Sequence, residues 1–151
     1  MYKRQIPRPG YAYYEQDLES RTFGVVVDTS GSMSAKQIGM ALGSIASYAA
    51  AKDVPFVRII FCDAKATDAG YLAPEDIAGR VKVTGRGGTI LQPGVDCLEQ
   101  ANDFPKDGPI LIITDGEIEN DLKVRREHAF LLPRGNRLPF RARGEVFYFR
   151  E

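Results

Sequence analysis

Small oxygen-bearing side chains cluster where apolar stretches of the sequence end. Residues 25–34 read VVVDTSGSMS, so a carboxylate and several hydroxyls follow three β-branched residues. TGRGGT ends on a threonine, and LIITDG places an acid directly after an apolar run. The candidate ligands from these three stretches all carry hard oxygen atoms: Asp28, Ser30, Ser32, Thr89 and Asp115. Mg²⁺ accepts carboxylates and neutral oxygens, whereas soft transition metals prefer thiolate or imidazole. The pattern therefore predicts a site for a hard divalent cation.

Each of these residues also has a purely local interpretation. Ser30 and Ser32 could end a strand and cap the helix that follows, and Thr89 could cap a later helix. Asp115 with Gly116 could form an ordinary turn. The glycine-rich GRGGT resembles a phosphate loop only weakly, because it lacks the lysine and the spacing of that motif. The joint occurrence of oxygen donors at three separate strand ends favours the metal site.

The elements that must position these residues alternate between strand and helix. Strands are predicted at 22–27, 56–62, 109–114, in HAFLL and EVFYF, and as an antiparallel edge strand from Ala66. Helices are predicted from a cap at Ser34 to about Lys52, in APEDIAGR, over 93–102 and over 120–127. This order indicates an α/β fold with a doubly wound, mostly parallel sheet, one antiparallel edge strand and helices on both faces. Ligands of such sheets bind outside the carboxyl ends of the strands.

Two glycines lie four residues apart within the first predicted helix. Gly39 and Gly43 lower its helix propensity. We expect them to let the helix backbone approach the sheet closely.

Composition indicates one domain without a strong net field. The chain has 151 residues, with 20 Lys and Arg against 20 Asp and Glu. We predict an extended lead-in or linker remnant over 1–21 and one domain over 22–151; the basic, proline-containing start is compatible with a complete chain and with a domain excised from a longer protein. The start has no apolar core for a secretory signal, and no run of about 18 apolar residues exists, so a cytoplasmic location is expected. Cys62, Cys97 and the single histidine, His128, lack metal-type spacing and are predicted to be structural.

The three oxygen-bearing stretches together resemble the metal-ion-dependent adhesion site (MIDAS) of von Willebrand factor type A (vWA) domains. The resemblance covers DTSGS, the threonine of RGGT and TDG, in their order and spacing. It implies a Rossmann-like vWA fold in which Ser30, Ser32 and Thr89 supply hydroxyl ligands and Asp28 and Asp115 act directly or through water. It also implies that an Asp or Glu of a protein partner completes the coordination.

A narrower resemblance concerns one branch of these domains. DTSGSM, GGT and LIITDGEIE look like the intracellular bacterial vWA domains, some of which accompany a metallopeptidase-like domain. In that branch an acidic residue is expected directly after the threonine. This sequence has Ile90 at that position.

The leading functional hypothesis is a protein-interaction module without catalysis of its own. As the resemblance implies, it would bind a partner carboxylate through Mg²⁺, or through Mn²⁺ or Ca²⁺. Catalysis is not expected, because no nucleophile or general base accompanies the oxygen donors. A Mg²⁺-dependent phosphohydrolase is the first alternative, although the familiar second acid two residues after Asp28 is replaced by Ser30. RNA or ribonucleoprotein binding through basic terminal segments is the second alternative; it is disfavoured because most arginine-rich loops are only solvated surface. No membrane partner is predicted.

Two charged groups lie outside the predicted ligand set. The acidic group Glu117, Glu119 and Asp121 could ring the metal or form a solvated face, and the solvated face is favoured. The basic residues gather toward the two ends of the chain: Lys3, Arg4, Arg8, Lys123, Arg125, Arg126, Arg134, Arg137, Arg141 and Arg143. The aromatic residues Phe147, Tyr148 and Phe149 are predicted to be strand and core residues rather than a platform for stacking bases.

Overall fold

A computed structural model describes four stretches of the chain. They are residues 22–29, 33–63, 65–80 and 90–149. The predicted lead-in over 1–21 lies outside them, as do Ser30, Ser32 and Thr89.

Six strands form one sheet across the described residues. They are β1 (Gly24–Asp28), β2 (Val57–Cys62), β3 (Ala66–Leu72), β4 (Ile110–Ile113), β5 (His128–Pro133) and β6 (Glu145–Phe149). Their order is β3-β2-β1-β4-β5-β6. β3 runs antiparallel to β2, and the other pairs are parallel. The predicted mostly parallel sheet with one antiparallel edge strand is confirmed.

Helices cover both faces of this sheet. The first helix, α1 (Ala35–Ala51), begins at a capping box in which Ser34 Oγ accepts from the Gln37 N–H and Gln37 Oε1 accepts from the Ser34 N–H. The short α2 (Pro74–Ile77) continues into a 3₁₀ turn (Ala78–Arg80). The helix predicted over 93–102 is α3 (Gln92–Gln100), with a proline in its first turn.

Alternating side chains of β1 divide the core into two apolar layers. Val25 and Val27 pack with α1, whose predicted stripe of Ile38, Leu42, Ile45 and Ala49 is buried. Val26 packs on the opposite face with Leu91, Val95 and Leu98 in and beside α3. Because β1 is buried on both faces, its sequence is a continuous apolar run rather than an alternating one. The burial holds Asp28 rigidly at the end of the strand.

The helix glycine that lies against β1 belongs to α3, and the predicted Gly43 of α1 does not make such a contact. A Cβ added at Gly43 would meet nothing within 4 Å, so the expectation of close approach is wrong there. A Cβ at Gly94 would lie 2.8 Å from Val26 Cγ1. The close contact is therefore made by α3 on the other face of the sheet.

The helix predicted over 120–127 is absent, and the prediction was wrong. The connection from β4 to β5 is irregular. Its backbone pairs with side chains of α3: Gln92 Nε2 donates to the Lys123 carbonyl at 2.9 Å, and the Lys123 N–H donates to Gln92 Oε1 at 2.8 Å. The Arg125 N–H donates to Glu99 Oε2 at 2.8 Å. These bonds replace the backbone bonds that a helix would have formed.

The strand order reverses between β1 and β4. The chain passes from β1 to β2 on one side and later returns to β4 on the other side of β1. The crevice outside the carboxyl ends of two such strands is the usual ligand site of an open α/β sheet. Asp28 ends β1, and Thr114 and Asp115 follow β4, so the fold brings two of the predicted sequence stretches to this crevice.

Candidate metal centre

Asp28 is a buried carboxylate at the centre of the sheet edge. The residue is 0% exposed, and its Oδ2 accepts a hydrogen bond of 2.9 Å from the Thr114 hydroxyl. A buried carboxylate is costly unless hydrogen bonds or positive charge stabilise it. The hydroxyl from the neighbouring strand provides part of that stabilisation and fixes the orientation of the carboxylate.

Asp115 lies in the turn that directly follows β4. The residue is 4% exposed, and its Oδ1 accepts from the Glu117 N–H at 3.0 Å, which closes an Asx turn. Its backbone carbonyl accepts from Asn136 Nδ2 at 2.9 Å. Neighbouring parallel strands lie about 4.8 Å apart, so the fold places Asp28 and Asp115 in adjacent positions along the same edge.

Thr114 has a positioning role that sequence reasoning missed. Its hydroxyl donates to Asp28, and its Oγ1 accepts from the Gly116 N–H at 3.1 Å. One buried side chain thus connects the end of β1 to the turn after β4. The TDG motif contained the signal, since a threonine between an apolar strand and an acid can bond locally to the turn. Its long-range bond to Asp28 depends on the strand order.

The turn after β4 requires a glycine. Gly116 has φ +94°, a conformation that side-chain-bearing residues rarely adopt. A Cβ at this position would also overlap the backbone carbonyl of Arg137. The loop after β5 therefore packs directly on the turn that carries Asp115.

Backbone contacts beside the remaining predicted ligands reach the same edge. The Ile90 N–H, one residue after Thr89, donates to the Asp63 carbonyl at 3.1 Å just beyond β2. The Thr29 N–H, one residue before Ser30, donates to the Cys62 carbonyl at 2.9 Å. The described residues that flank Ser30 and Thr89 thus lie at the carboxyl ends of β1 and β2.

The acidic group after Asp115 divides into a structural residue and two exposed ones. Glu119 accepts backbone hydrogen bonds from Leu91 and Gln92 at 2.9 to 3.0 Å, so it caps α3 from a distant part of the chain. For Glu119 the favoured interpretation as a solvated face is therefore wrong. Glu117 and Asp121 are exposed, as that interpretation predicted.

The cysteines and the histidine have structural surroundings. Cys62 is a buried free thiol that donates to the Ile90 carbonyl at 3.2 Å, and burial raises its pKa to about 11. Cys97 is a half-buried free thiol, and burial also raises its pKa. His128 begins β5, with Nδ1 at 2.8 Å from the Arg126 carbonyl. No group of three or more His, Cys, Asp or Glu residues suited to a metal occurs among the residues that the structure describes.

The described donors fit a hard cation. Asp115 is nearly fully buried, yet in the described ranges its carboxylate accepts one backbone hydrogen bond and pairs with no Lys or Arg. A carboxylate has about four acceptor positions, so this one retains capacity for a cation or for bound water. Together with Asp28 it could neutralise a divalent ion at the strand-order reversal.

The order of the strands defines the class of fold. An open, doubly wound sheet of this order is a Rossmann-like α/β fold, and Asp28 and Asp115 are buried at the reversal point where such sheets bind ligands. The sequence matches the family described as VWA-like domain (DUF2201) over residues 23–125, more than half of the chain. The chain therefore belongs to this family.

Further findings bear on the general role of the chain. VWA-like domains commonly mediate protein interactions, which suggests a protein-interaction module. A search of curated proteins gave no match. Within the described ranges, every helix is too short or too polar to cross a membrane.

Proposed function

We propose that this domain binds a protein partner through a divalent metal ion of the MIDAS type. Asp28 and Asp115, with Ser30, Ser32 and Thr89, would hold Mg²⁺, or Mn²⁺ or Ca²⁺ in its place. The ion would supply an electrophilic position that takes an Asp or Glu carboxylate of the partner. The chain would act by binding rather than by catalysis.

The observation that carries this proposal is the pair of buried acids at the strand-order reversal. Asp28 is held by Thr114, and Asp115 is held by its own Asx turn, so both carboxylates are oriented before any ligand arrives. Preorganised donors lose little conformational entropy on binding. Three elements position these acids. β1 carries Asp28, β4 leads into Asp115, and the loop after β5 packs on the Asp115 turn.

The narrower resemblance adds a candidate partner and a location. A metallopeptidase-like domain in the same chain is the partner that the intracellular bacterial branch suggests, and that branch would place the interaction in the cytoplasm. RNA binding through the exposed basic residues would not require the metal. RNA binding through them would therefore be independent of chelator.

Calorimetric titration of the purified domain with MgCl₂ and MnCl₂ tests the metal claim. We expect saturable binding near one equivalent in the wild type and its loss in Asp28→Ala and Thr89→Ala. Asp121→Ala is the matched control, because Asp121 is an exposed acidic residue of the connection that follows Asp115. Wild type and both site variants behaving alike would overturn the proposal.

Partner capture tests the second half of the proposal. The immobilised domain is exposed to a lysate of its source cells in Mg²⁺ and in EDTA, and retained proteins are identified. We expect a protein retained in Mg²⁺ alone and lost with Asp28→Ala. A retained set that is identical with and without EDTA would contradict metal-dependent recognition.

A further inference from the structure

A basic cavity lies beside the candidate metal centre. It has a volume of about 760 Å³ and is formed by the loop after β5 and by β6. Its charged lining residues are Arg134 and Arg137, and its aromatic lining residues are Phe147 and Tyr148. We call it the arginine pocket.

The loop that carries both arginines has a defined conformation. The Asn136 N–H donates to the Pro133 carbonyl at 3.1 Å, and Gly135 between them has φ +96°. These features define a β-turn with a glycine at its third position, which places Arg134 at the tip. The Arg134 N–H also donates to the Phe149 carbonyl at 2.9 Å, so the turn is fixed to the end of β6.

The same loop is fixed to the acidic turn of the metal centre. Asn136 Nδ2 donates to the Asp115 carbonyl at 2.9 Å. The Arg137 carbonyl packs against Gly116 so closely that a Cβ there would overlap it. The arginine pocket therefore stands at a fixed position relative to Asp115.

The charged residues of the arginine pocket are all positively charged. Residues 134–144 contain four arginines and no acidic residue. Arg134 and Arg137 are exposed, and neither pairs with an acidic residue of the described stretches. Guanidinium groups present paired N–H donors that match a carboxylate. Arg143 lines a neighbouring cavity with His128 and Arg126, and that cavity shares Phe147 with the arginine pocket.

The aromatic residues of β6 add an apolar contribution. Phe147 is 50% exposed and Tyr148 is 54% exposed, whereas Phe149 is buried. The prediction that all three belong to the core is therefore wrong for the first two. Exposed aromatic side chains beside arginines are typical of the surfaces that proteins use to bind each other.

We propose that the arginine pocket is a second subsite for the protein partner and takes an acidic side chain flanked by apolar residues. This inference rests on the proposed function, in which a first carboxylate of the partner binds the metal ion. The partner segment would then carry two acidic residues, one for the metal centre and one for Arg134 and Arg137. Two linked contacts of this kind increase affinity without either being strong alone.

A metal-free titration tests the pocket by itself. N-acetylglutamate amide and the tripeptide acetyl-Glu-Tyr-Leu-amide are titrated into ¹⁵N-labelled domain in EDTA. We expect the tripeptide to shift the amide signals of Arg134, Gly135 and Tyr148, and the Arg134→Gln/Arg137→Gln variant to abolish the shifts. Arg141→Gln is the control, because Arg141 is an exposed arginine of the same loop outside the pocket lining. Unchanged shifts in the double variant would overturn the inference, as would stronger binding of a uridine decanucleotide than of the tripeptide.

A peptide series tests the link between the two subsites. Fluorescein-labelled peptides Asp-(Gly)n-Glu-Tyr-Leu, with n from 1 to 8, are compared in Mg²⁺ with peptides that carry Gln for Glu. We expect one range of n to bind about tenfold more tightly than its Gln counterpart, and the Arg134→Gln/Arg137→Gln variant to remove that advantage alone. Metal-dependent binding without any such advantage would overturn the second subsite and leave the proposed function intact. Arginine-dependent shifts in EDTA without any metal binding would overturn the proposed function alone.

Discussion

At the scale of single residues, Thr114 connects the two acids of the candidate metal centre. Thr114→Val keeps the shape of the side chain but leaves Asp28 Oδ2 and the Gly116 N–H without this partner. We expect the free energy of unfolding to fall by about 1–3 kcal/mol in urea titrations, because both groups are buried. Thr114→Ser retains the hydroxyl, so its loss of unfolding free energy should be less than half that of Thr114→Val. Equal stability of the two variants would show that the hydroxyl does not stabilise the turn.

Gly116 is the residue at which backbone conformation and packing both exclude a side chain. Gly116→Ala would place a Cβ against the Arg137 carbonyl and force φ +94° on an alanine. We expect a loss of at least about 2 kcal/mol of unfolding free energy and displacement of the loop after β5.

Gly43→Ala is the matched control for that substitution. A Cβ at Gly43 meets open space within α1, so this variant should gain roughly 0.5–1 kcal/mol from improved helix propensity. Thermal unfolding of both variants measures the contrast. A Gly116→Ala protein as stable as the wild type would contradict the packing of the loop on the turn.

At the scale of elements, Glu119 links the connection after β4 to the start of α3. Glu119→Ala removes the acceptor for the Leu91 and Gln92 N–H groups, and we expect a loss of about 1 kcal/mol in metal-free denaturant titrations. The exposed Glu117 provides the control, since Glu117→Ala should change stability by less than about 0.5 kcal/mol. Equal losses in the two variants would contradict the capping role.

The strands and α1 could be predicted from sequence because their signals are local. The apolar run before Asp28, the stripe of Ile38, Leu42 and Ile45, and the cap at Ser34 each determine their own neighbourhood. The connection after β4 could not be predicted from sequence, because its conformation depends on Gln92 and Glu99, which lie far away in sequence. The contact of Thr114 with Asp28 and the capping role of Glu119 could not be predicted for the same reason, because each joins residues that are distant in sequence. In each of these cases the conformation depends on a hydrogen-bond donor or acceptor from an element that is distant in sequence.

At the scale of the whole molecule, an ion-pair network stabilises the sheet near its antiparallel edge. Arg58 on β2 pairs with Asp68 on β3 at 2.6 Å and with Asp103 at 2.8 Å. The hydrogen bonds of Arg58 hold the pKa of Asp68 below its ordinary value. Because the pKa is lowered in the folded state, the stabilisation is present above the unfolded pKa of about 3.9 and is lost as the pH falls through the folded pKa.

Asp68→Asn tests that pH dependence. At pH 7 we expect a loss of about 1–2 kcal/mol, limited because Asp68 is partly exposed and Asp103 still pairs with Arg58. The difference in unfolding free energy between this variant and the wild type should stay constant between pH 5 and 7 and become smaller below about pH 4. Asp107→Asn, at an exposed acid, is the control and should follow the wild type at every pH. A difference that persists unchanged at low pH would contradict the electrostatic explanation.

Binding of a divalent ion where β1 and β4 end is tested most directly by Mn²⁺-induced broadening of amide NMR signals. Substoichiometric Mn²⁺ broadens signals near the bound ion, so the Asp28, Thr114, Asp115 and Gly116 amides should disappear first. The Lys52 amide, about 25 Å from the start of α1 at the other end of that helix, should remain sharp. Excess Mg²⁺ should restore the lost signals, and Asp28→Ala should prevent the effect. Broadening that spares residues 28 and 114–116, or that is equal in wild type and Asp28→Ala, would contradict the account.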